Sequence, residues 1–322
     1  MTAIHPVRAA VAAPPEVKTA RSERRRRFRR DRSLLIMTIP AVVLLIVFNY
    51  VPMFGTVTSF QRYSIYAGFT HSPWVGLHTF QRLFADPLFW GSLENTLVLS
   101  LVQLVLFFPI PIALAMLLHS VLNSKIRGIV QSIVYLPHFF SWVLAITIFQ
   151  EMLGGAGALN QFLRQHGMAT WDIMTNPDTF KYLVTAQVVW KEAGWGIIVF
   201  LAALAAIDQN LYEAAAADGA GRWRRMWHIT LPGIRAVVVL MLVLRLGNVL
   251  TVGFEQMLIQ RGAVGRDASE VLDTYAYFYG VVNANFSIGA AASLFKGVLS
   301  LLLILAANKI AHLMGEDGLY RK

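Results

Sequence analysis

The sequence predicts an all-α integral membrane protein with six transmembrane helices. Three observations carry that expectation. First, 56% of the 322 residues are hydrophobic and only 14% are charged, against about 25% charged in an ordinary soluble domain. Second, the apolar residues fall in long blocks, each near the roughly 20 residues that cross a bilayer. Third, the net charge of +10 is unevenly placed, with Arg21, Arg24, Arg25, Arg26, Arg27, Arg29, Arg30 and Arg32 crowded ahead of the first block. A nucleic-acid-binding arm has a similar composition. Beside a membrane span such a cluster is more simply a topology signal touching anionic lipid, so no nucleic-acid partner is expected.

Residues 1–32 read as a basic, disordered cytoplasmic tail and 33–322 as the six-span domain. The first block, 34–60, is too long for a signal-peptide core and no small-residue cleavage site follows it. It reads as an uncleaved anchor, bent at Pro40 and Pro52. The other spans fall at 94–118, 128–151, 182–206, 234–258 and 287–312. With the arginine tail inside, both termini are cytoplasmic. Lys125, Arg127, Arg235, Lys309, Arg321 and Lys322 then lie inside, while Arg62, Arg82, Arg164, Lys181, Arg261 and Arg266 lie outside. Counting the loop arginines between the fourth and fifth spans, the inside excess supports this orientation. It puts Asn210 in the cytoplasm and Asn160 outside.

The external segments differ in character. Gln61 to Leu93 is aromatic and turn-rich and is expected to lie as interfacial helices. Gly154-Gly155-Ala156-Gly157 reads as a flexible connection, because no Gly-Lys-Ser/Thr follows it as a phosphate loop requires. Gln260 to Phe286 holds Asp267, Glu270, Asp273 and the run Tyr275-Ala276-Tyr277-Phe278-Tyr279.

Catalytic chemistry finds no foothold. There is no cysteine, so no thiolate nucleophile or thiolate metal site. No Walker A, H-E-x-x-H or G-x-S-x-G pattern occurs, and the histidines are scattered. The chain is expected to be a non-enzyme that binds no metal and no cofactor. Any ATP-driven step needs another subunit.

The informative segment is 207–233, between the fourth and fifth spans. Asp208 is an N-cap, Leu211 to Ala217 are strong helix formers, and Gly219 stands where a left-handed residue ends the helix. The run Ala214–Ala217 leaves a thin helix that a partner surface can approach closely. Arg222 to Ile229 is expected to form a second short helix, with Trp223 and Trp227 on one face. Pro232 fits the first turn of the next span. The compact projection is a docking handle for a soluble partner.

This segment resembles the EAA loop of permease subunits in binding-protein-dependent ABC importers, at Glu213, Ala214, Ala215, Asp218, Gly219, Ile229, Leu231 and Pro232. Further along, Tyr135-Leu136-Pro137-His138-Phe139, Trp190 to Gly196, Gly253-Phe254-Glu255-Gln256, Asp273-Thr274-Tyr275 and Gly318-Leu319-Tyr320 are similar to the LplB branch of the MalF-like sugar permeases. The resemblance implies a type I importer with a MetI-like transmembrane domain in a bacterial cell membrane. It implies uptake of oligosaccharides or polysaccharide fragments by alternating access. It also implies an ABC ATPase dimer holding ATP and magnesium, a second, different permease subunit, and an extracellular solute-binding protein.

Polar groups inside spans are costly and mark function. Arg245 lies ten residues beyond Arg235, about 15 Å deeper along a helix and near mid-membrane. Asn248 and Glu255 are expected to share its face of the fifth span, and Lys296 reaches a comparable depth in the sixth. These residues are candidates for a path that hydrogen-bonds sugar hydroxyls. Alternatively Arg245 and Lys296 pair with carboxylates such as Glu255 or Glu94 and only hold helices together. If substrate neutralises them instead, an acidic sugar is favoured. Tyr275, Tyr277 and Tyr279 are candidates for stacking on sugar rings at the external mouth, as are Trp190 and Trp195, although aromatic belts place such residues there too. Two other function classes were weighed: an ion-coupled secondary transporter and a polytopic membrane enzyme acting on lipid-linked sugars. Neither accounts for the loop.

Overall fold

The computed structural model describes residues 31–32, 36–121 and 123–313. The basic tail up to Arg30 and the ending Gly318-Leu319-Tyr320 lie outside the described residues. Among the described residues six helical segments are long and apolar enough to cross a membrane. The chain divides into two compact units, Met1–Gly55 and Thr56–Lys322.

The first unit carries most of helix α1, Ile36–Phe60. Its turn at Ile46–Tyr50 is a π turn, closed by the Val51 N–H donating to the Ile46 carbonyl. The widening sits just ahead of Pro52, whose ring clashes with the preceding turn and whose missing N–H breaks the ladder.

In the second unit, a short helix α2 (His78–Phe84) leads to α3 (Pro87–His119). Asp86 caps α3 by accepting from the Leu88 N–H at 3.0 Å, with Pro87 in the first turn. That cap starts the span seven residues ahead of the expected 94. Leu83, Phe89 and Leu93 are buried in one cluster with Leu272, Tyr275, Ile288 and Ala291, with Phe80 packed against it. Phe84 meets the Phe295 ring at 5.6 Å. Trp74 and Trp90 of the same expected interfacial segment stay 68% and 49% exposed.

The third crossing is broken. Helix α4 (Ser124–Tyr135) and helix α5 (Trp142–Leu153) are 12 residues each, about 18 Å apiece, and the stretch long and apolar enough to cross runs from Trp142 to Gln165. Between them Leu136–Phe139 tightens to a 3₁₀ turn at Pro137, and Ser141 recaps the chain by accepting from the Leu144 N–H. The expected continuous helix over 128–151 is therefore two half-helices. The glycines after α5 are also not a loose connection. A Cβ at Gly157 would lie 2.8 Å from the Glu151 carbonyl oxygen. The next short helix, Ala158–Gln165, holds Asn160 at 0% exposure, bonded to the Gly154 carbonyl and to both backbone groups of Trp171.

Helix α6 (Phe180–Ala205) is the central crossing. Ile197, Phe200 and Leu204 on it are buried with Ala115 and Leu118 of α3 and with Ile207 and Ile234. Helix α7 (Gln209–Ala217) follows, capped by Asp208. Then α8 runs from Arg222 to Gly247 without interruption. The expected separate second loop helix is thus the first part of the fifth span. A π turn at Met226–Thr230 precedes Pro232, which absorbs the missing N–H.

The fifth crossing is broken as well. α8 stops at Gly247, residues 248–253 are non-helical with Gly253 at φ +92°, and α9 resumes as Phe254–Val264. The expected span 234–258 does not exist as one helix. Beyond α9 the chain turns through Leu272–Tyr275 and a π turn at Ala276–Val282 into the last span, α10 (Phe286–Leu313). There Gly280 and Gly289 let two backbones touch, a Cβ on Gly289 falling 2.6 Å from the Gly280 Cα.

Candidate functional site

Both broken crossings lean on α6. In the first half of α6, Gln187 is buried against α9. Its Oε1 accepts from Gln256 Nε2 at 2.6 Å and from Gln260 Nε2 at 3.0 Å, and Gln256 Nε2 also donates to the Val184 carbonyl. This network pairs most of its polar groups, which hydrocarbon would leave stranded, although Gln256 Oε1 is buried without a partner. It ties α9 to α6. The break itself is held from α3, where Ser100 Oγ donates to the Val249 carbonyl at 2.5 Å.

One and a half turns deeper, α6 meets the other break. Lys191 Nζ donates to the His138 carbonyl at 3.1 Å, a group freed by the 3₁₀ turn, and to Glu192 Oε1 at 2.8 Å. His138 Nδ1 lies 2.7 Å from Glu192 Oε2. A carboxylate only accepts, so the imidazole carries its proton on Nδ1. The His138, Tyr135 and Trp195 rings form a near-parallel three-ring cluster, with centroids 5.0 Å apart for His138 and Trp195, 5.8 Å for His138 and Tyr135, and 6.2 Å for Tyr135 and Trp195. Trp195 is 54% exposed, so this aromatic ladder offers an open face beside the ionic cluster. Trp190 instead packs inward on Phe140 and Phe149.

Arg245 stands two residues before the end of α8. Its Nη2 donates to Gln103 Oε1 of α3 at 3.1 Å, and its guanidinium lies 5.2 Å from the Phe107 ring centre. Among the described residues no carboxylate forms an ion pair with it. Gln103 is 3% exposed and its Nε2 is buried without a partner, an arrangement that costs free energy until something accepts from it. Glu192 is within electrostatic reach of Arg245 but not in contact. Lys191, Glu192 and Arg245 together are two cations and one carboxylate, which leaves one surplus positive charge inside the membrane domain.

The other expected path residues fare differently. Asn248 is at the break, exposed, with only a 3.4 Å bond from Nδ2 to the Leu244 carbonyl. Glu255 belongs to the second half-helix and is exposed, so the helical face expected to join it to Arg245 is interrupted. Lys296 is neutralised by protein: its Nζ meets Asp273 Oδ1 and Oδ2 at 2.6 and 2.8 Å and Thr251 Oγ1 at 3.2 Å. It pairs, although with neither of the carboxylates expected. Tyr275 is 1% exposed and its hydroxyl donates to Asp86 Oδ2 at 2.7 Å. Burial and that hydrogen bond push its phenol above the ordinary range. It is a core residue, not a sugar platform. Sequence reasoning passed over Lys191, Glu192, His138, Gln187 and Gln103. Two adjacent charges in an apolar stretch were the signal for the first pair.

In the loop 207–233, the end of α7 is a Schellman turn. Gly219 sits at φ +75°, its N–H donates to the Ala216 carbonyl, and the Ala220 N–H donates to the Ala215 carbonyl at 2.8 Å. Glu213, Ala214, Asp218 and Gly219 are exposed, and Ala215 is half-buried. Tyr212 is hydrogen-bonded to Thr230 at 3.0 Å, and Ile229 packs on the buried cluster of α6 and α8. Leu231 and Pro232 open the next turn of α8. Among the described residues no group of three or more acidic or histidine side chains is placed to hold a metal ion.

The family model for the inner membrane component of binding-protein-dependent transport systems matches residues 107–315. The chain belongs to that family. It is a multi-pass inner-membrane transport component. The permease is 42% identical over 288 residues to the polygalacturonan/rhamnogalacturonan transport system permease protein YteP of Bacillus subtilis, covering 89% of this chain and 90% of that one. It is 40% identical over 293 residues to protein LplB of the same organism, covering 91% and 92%. Among solved structures it resembles a chain of a bacterial ABC transporter involved in import of the acidic polysaccharide alginate. The TM-score is 0.82 at 35% identity, over 90% of this chain and 98% of that one. A second structure of the bacterial alginate transporter, with its pentasaccharide-bound periplasmic protein, gives 0.83 at 34% identity over 91% and 99%.

Proposed function

We propose that this chain is one of two permease subunits of an ATP-driven importer that carries acidic oligosaccharides inward by alternating access. The observation that carries the substrate class is Arg245, a cation in the membrane domain with which no carboxylate among the described residues forms an ion pair. An isolated charge there is expensive, and a uronate passing the break between α8 and α9 supplies the missing anion. The aromatic ladder ending on Trp195 gives the flat apolar face on which a sugar ring rests. The permeases it resembles serve polygalacturonan and alginate, both acidic, which agrees with this reading.

The partners follow. An ABC ATPase dimer holds ATP and magnesium, a second permease completes the path, and an extracellular binding protein delivers the sugar. Glu213, Ala214, Ala215, Asp218 and Gly219 dock the ATPase. Ile229, Leu231 and Pro232 pass its motion into α8, which runs unbroken from the loop to Arg245. Both termini are cytoplasmic.

Two measurements test this. Arg245→Gln is expected to lower uptake of a short oligogalacturonate about tenfold, the worth of one charge-assisted hydrogen bond, and to change uptake of a neutral oligosaccharide little. Equal loss for both would remove the acidic-substrate reading. For orientation, the buried Asn160 is a poor probe site, whereas Gln165 on the same external segment is exposed. A cysteine at Gln165 should react with an impermeant maleimide on intact cells, and one at Asn210 only after lysis. The reverse pattern would invert the topology.

A further inference from the structure

Glu192 and Arg245 carry opposite charges on neighbouring antiparallel helices, and they do not pair. Helices α6 and α8 share one buried cluster, in which Ile197, Phe200 and Leu204 pack with Ile234, flanked by Val237, Val238 and Met241. One turn past Met241 on α8 is Arg245. Just over one turn before Ile197 on α6 is Glu192. The two therefore lie at similar depth. A glutamate side chain can turn about its stem, and opposite charges at neighbouring positions attract more strongly in a half-buried setting than in bulk water. Something holds Glu192 elsewhere.

What holds it is visible. Lys191 takes Oε1 and His138 takes Oε2. Lys191 is itself fixed by the His138 carbonyl and sits 5.3 Å from the Trp142 ring centre. His138 packs against both the Tyr135 and Trp195 rings, which also contact each other. Both carboxylate oxygens are engaged away from Arg245, and Lys191 cancels the charge. Arg245 in turn is oriented by Gln103, whose own Nε2 is buried without a partner.

We infer that Lys191 and His138 are specificity-determining positioning residues: they hold the Glu192 carboxylate off Arg245, so that the guanidinium stays open to the carboxylate of a passing acidic sugar. Without this clamp Glu192 becomes an internal competitor for Arg245. The inference rests on the acidic-substrate reading above.

The test is a rescue experiment on the assembled importer in liposomes, with its ATPase, second permease and saturating loaded binding protein. Initial uptake of a short oligogalacturonate is followed. Lys191→Met is expected to lower it about tenfold, and His138→Gln about threefold because Lys191 remains. Adding Glu192→Gln to either variant removes the competitor and should return uptake to within about twofold of wild type. A purely scaffolding Lys191 predicts the opposite, since the second change strips one more bond from the break. Failure of Glu192→Gln to rescue overturns the inference, as does wild-type uptake by Lys191→Met. Should Lys191→Met not assemble, His138→Gln with and without Glu192→Gln gives the same comparison. If the wild-type importer does not carry the oligogalacturonate at all, the acidic-substrate reading fails too. If it does and the variants match it, only the clamp fails.

Discussion

Gly219→Pro is expected to abolish ATP-driven uptake while leaving the protein in the membrane. The turn after α7 needs a left-handed residue, and Gly219 is at φ +75°. Proline is locked near −65° and has no N–H, so it loses both the backbone shape and the bond to the Ala216 carbonyl. α7 would then unravel from its end or point elsewhere. The membrane helices are not touched, because a Cβ at Gly219 meets nothing within 4 Å. The same open space makes Gly219→Ala a useful control. Alanine keeps the N–H and bears only the left-handed strain, about 1–2 kcal/mol, so uptake should fall severalfold and not vanish. Uptake assays with immunoblots of the membrane fraction check both. Full uptake by Gly219→Pro would separate this turn from energy coupling.

The loop was the most legible part of the sequence because its signals are local. Asp208, the alanines and Gly219 each act within a few residues, and the cap and Schellman turn form where composition puts them. The span count was legible for the same reason. The breaks were not. Leu136-Pro137-His138-Phe139-Phe140 is apolar apart from His138, so a hydropathy reading runs straight across it. Its Pro137 was the available warning. Residues 248–253 read Asn-Val-Leu-Thr-Val-Gly, mostly apolar, and hide in the same way. Long-range pairings were beyond reach. Tyr275 finds Asp86 across 189 residues and Lys296 finds Asp273 across 23, and no spacing rule links either pair. The consequence for the site is specific. Arg245 was identified by being costly in a membrane, while Lys191 and Glu192, equally costly, were passed over because each supplies part of the other's partner set.

The largest structural effect is expected at Gly194→Leu, which should prevent stable assembly. Gly194 lies on α6 two residues after Glu192, where the break between α4 and α5 presses closest. A Cβ there would fall 2.4 Å from the Val134 carbonyl oxygen and 2.7 Å from the Tyr135 Cα. Both are backbone atoms at the end of α4, so no rotamer change relieves the clash. α6 cannot retreat the other way, because a Cβ at Gly196 is already 2.8 Å from the Pro111 Cβ of α3. The helix is wedged between two neighbours, and the two glycines give the room. Gly194→Ala should cost about 1–3 kcal/mol by overpacking and lower thermal stability of the purified complex. Its uptake should fall further than its stability, since pushing α4 away also draws His138 from Glu192. Leucine extends the same collision by three more carbons, and the protein should not accumulate. Gly91→Ala on α3 is the control, with nothing within 4 Å of its Cβ. It should be neutral or gain up to about 1 kcal/mol from helix propensity. Normal melting of Gly194→Ala would mean that α4 and α6 stand further apart, and the His138–Glu192–Lys191 clamp would lose its geometric basis with them.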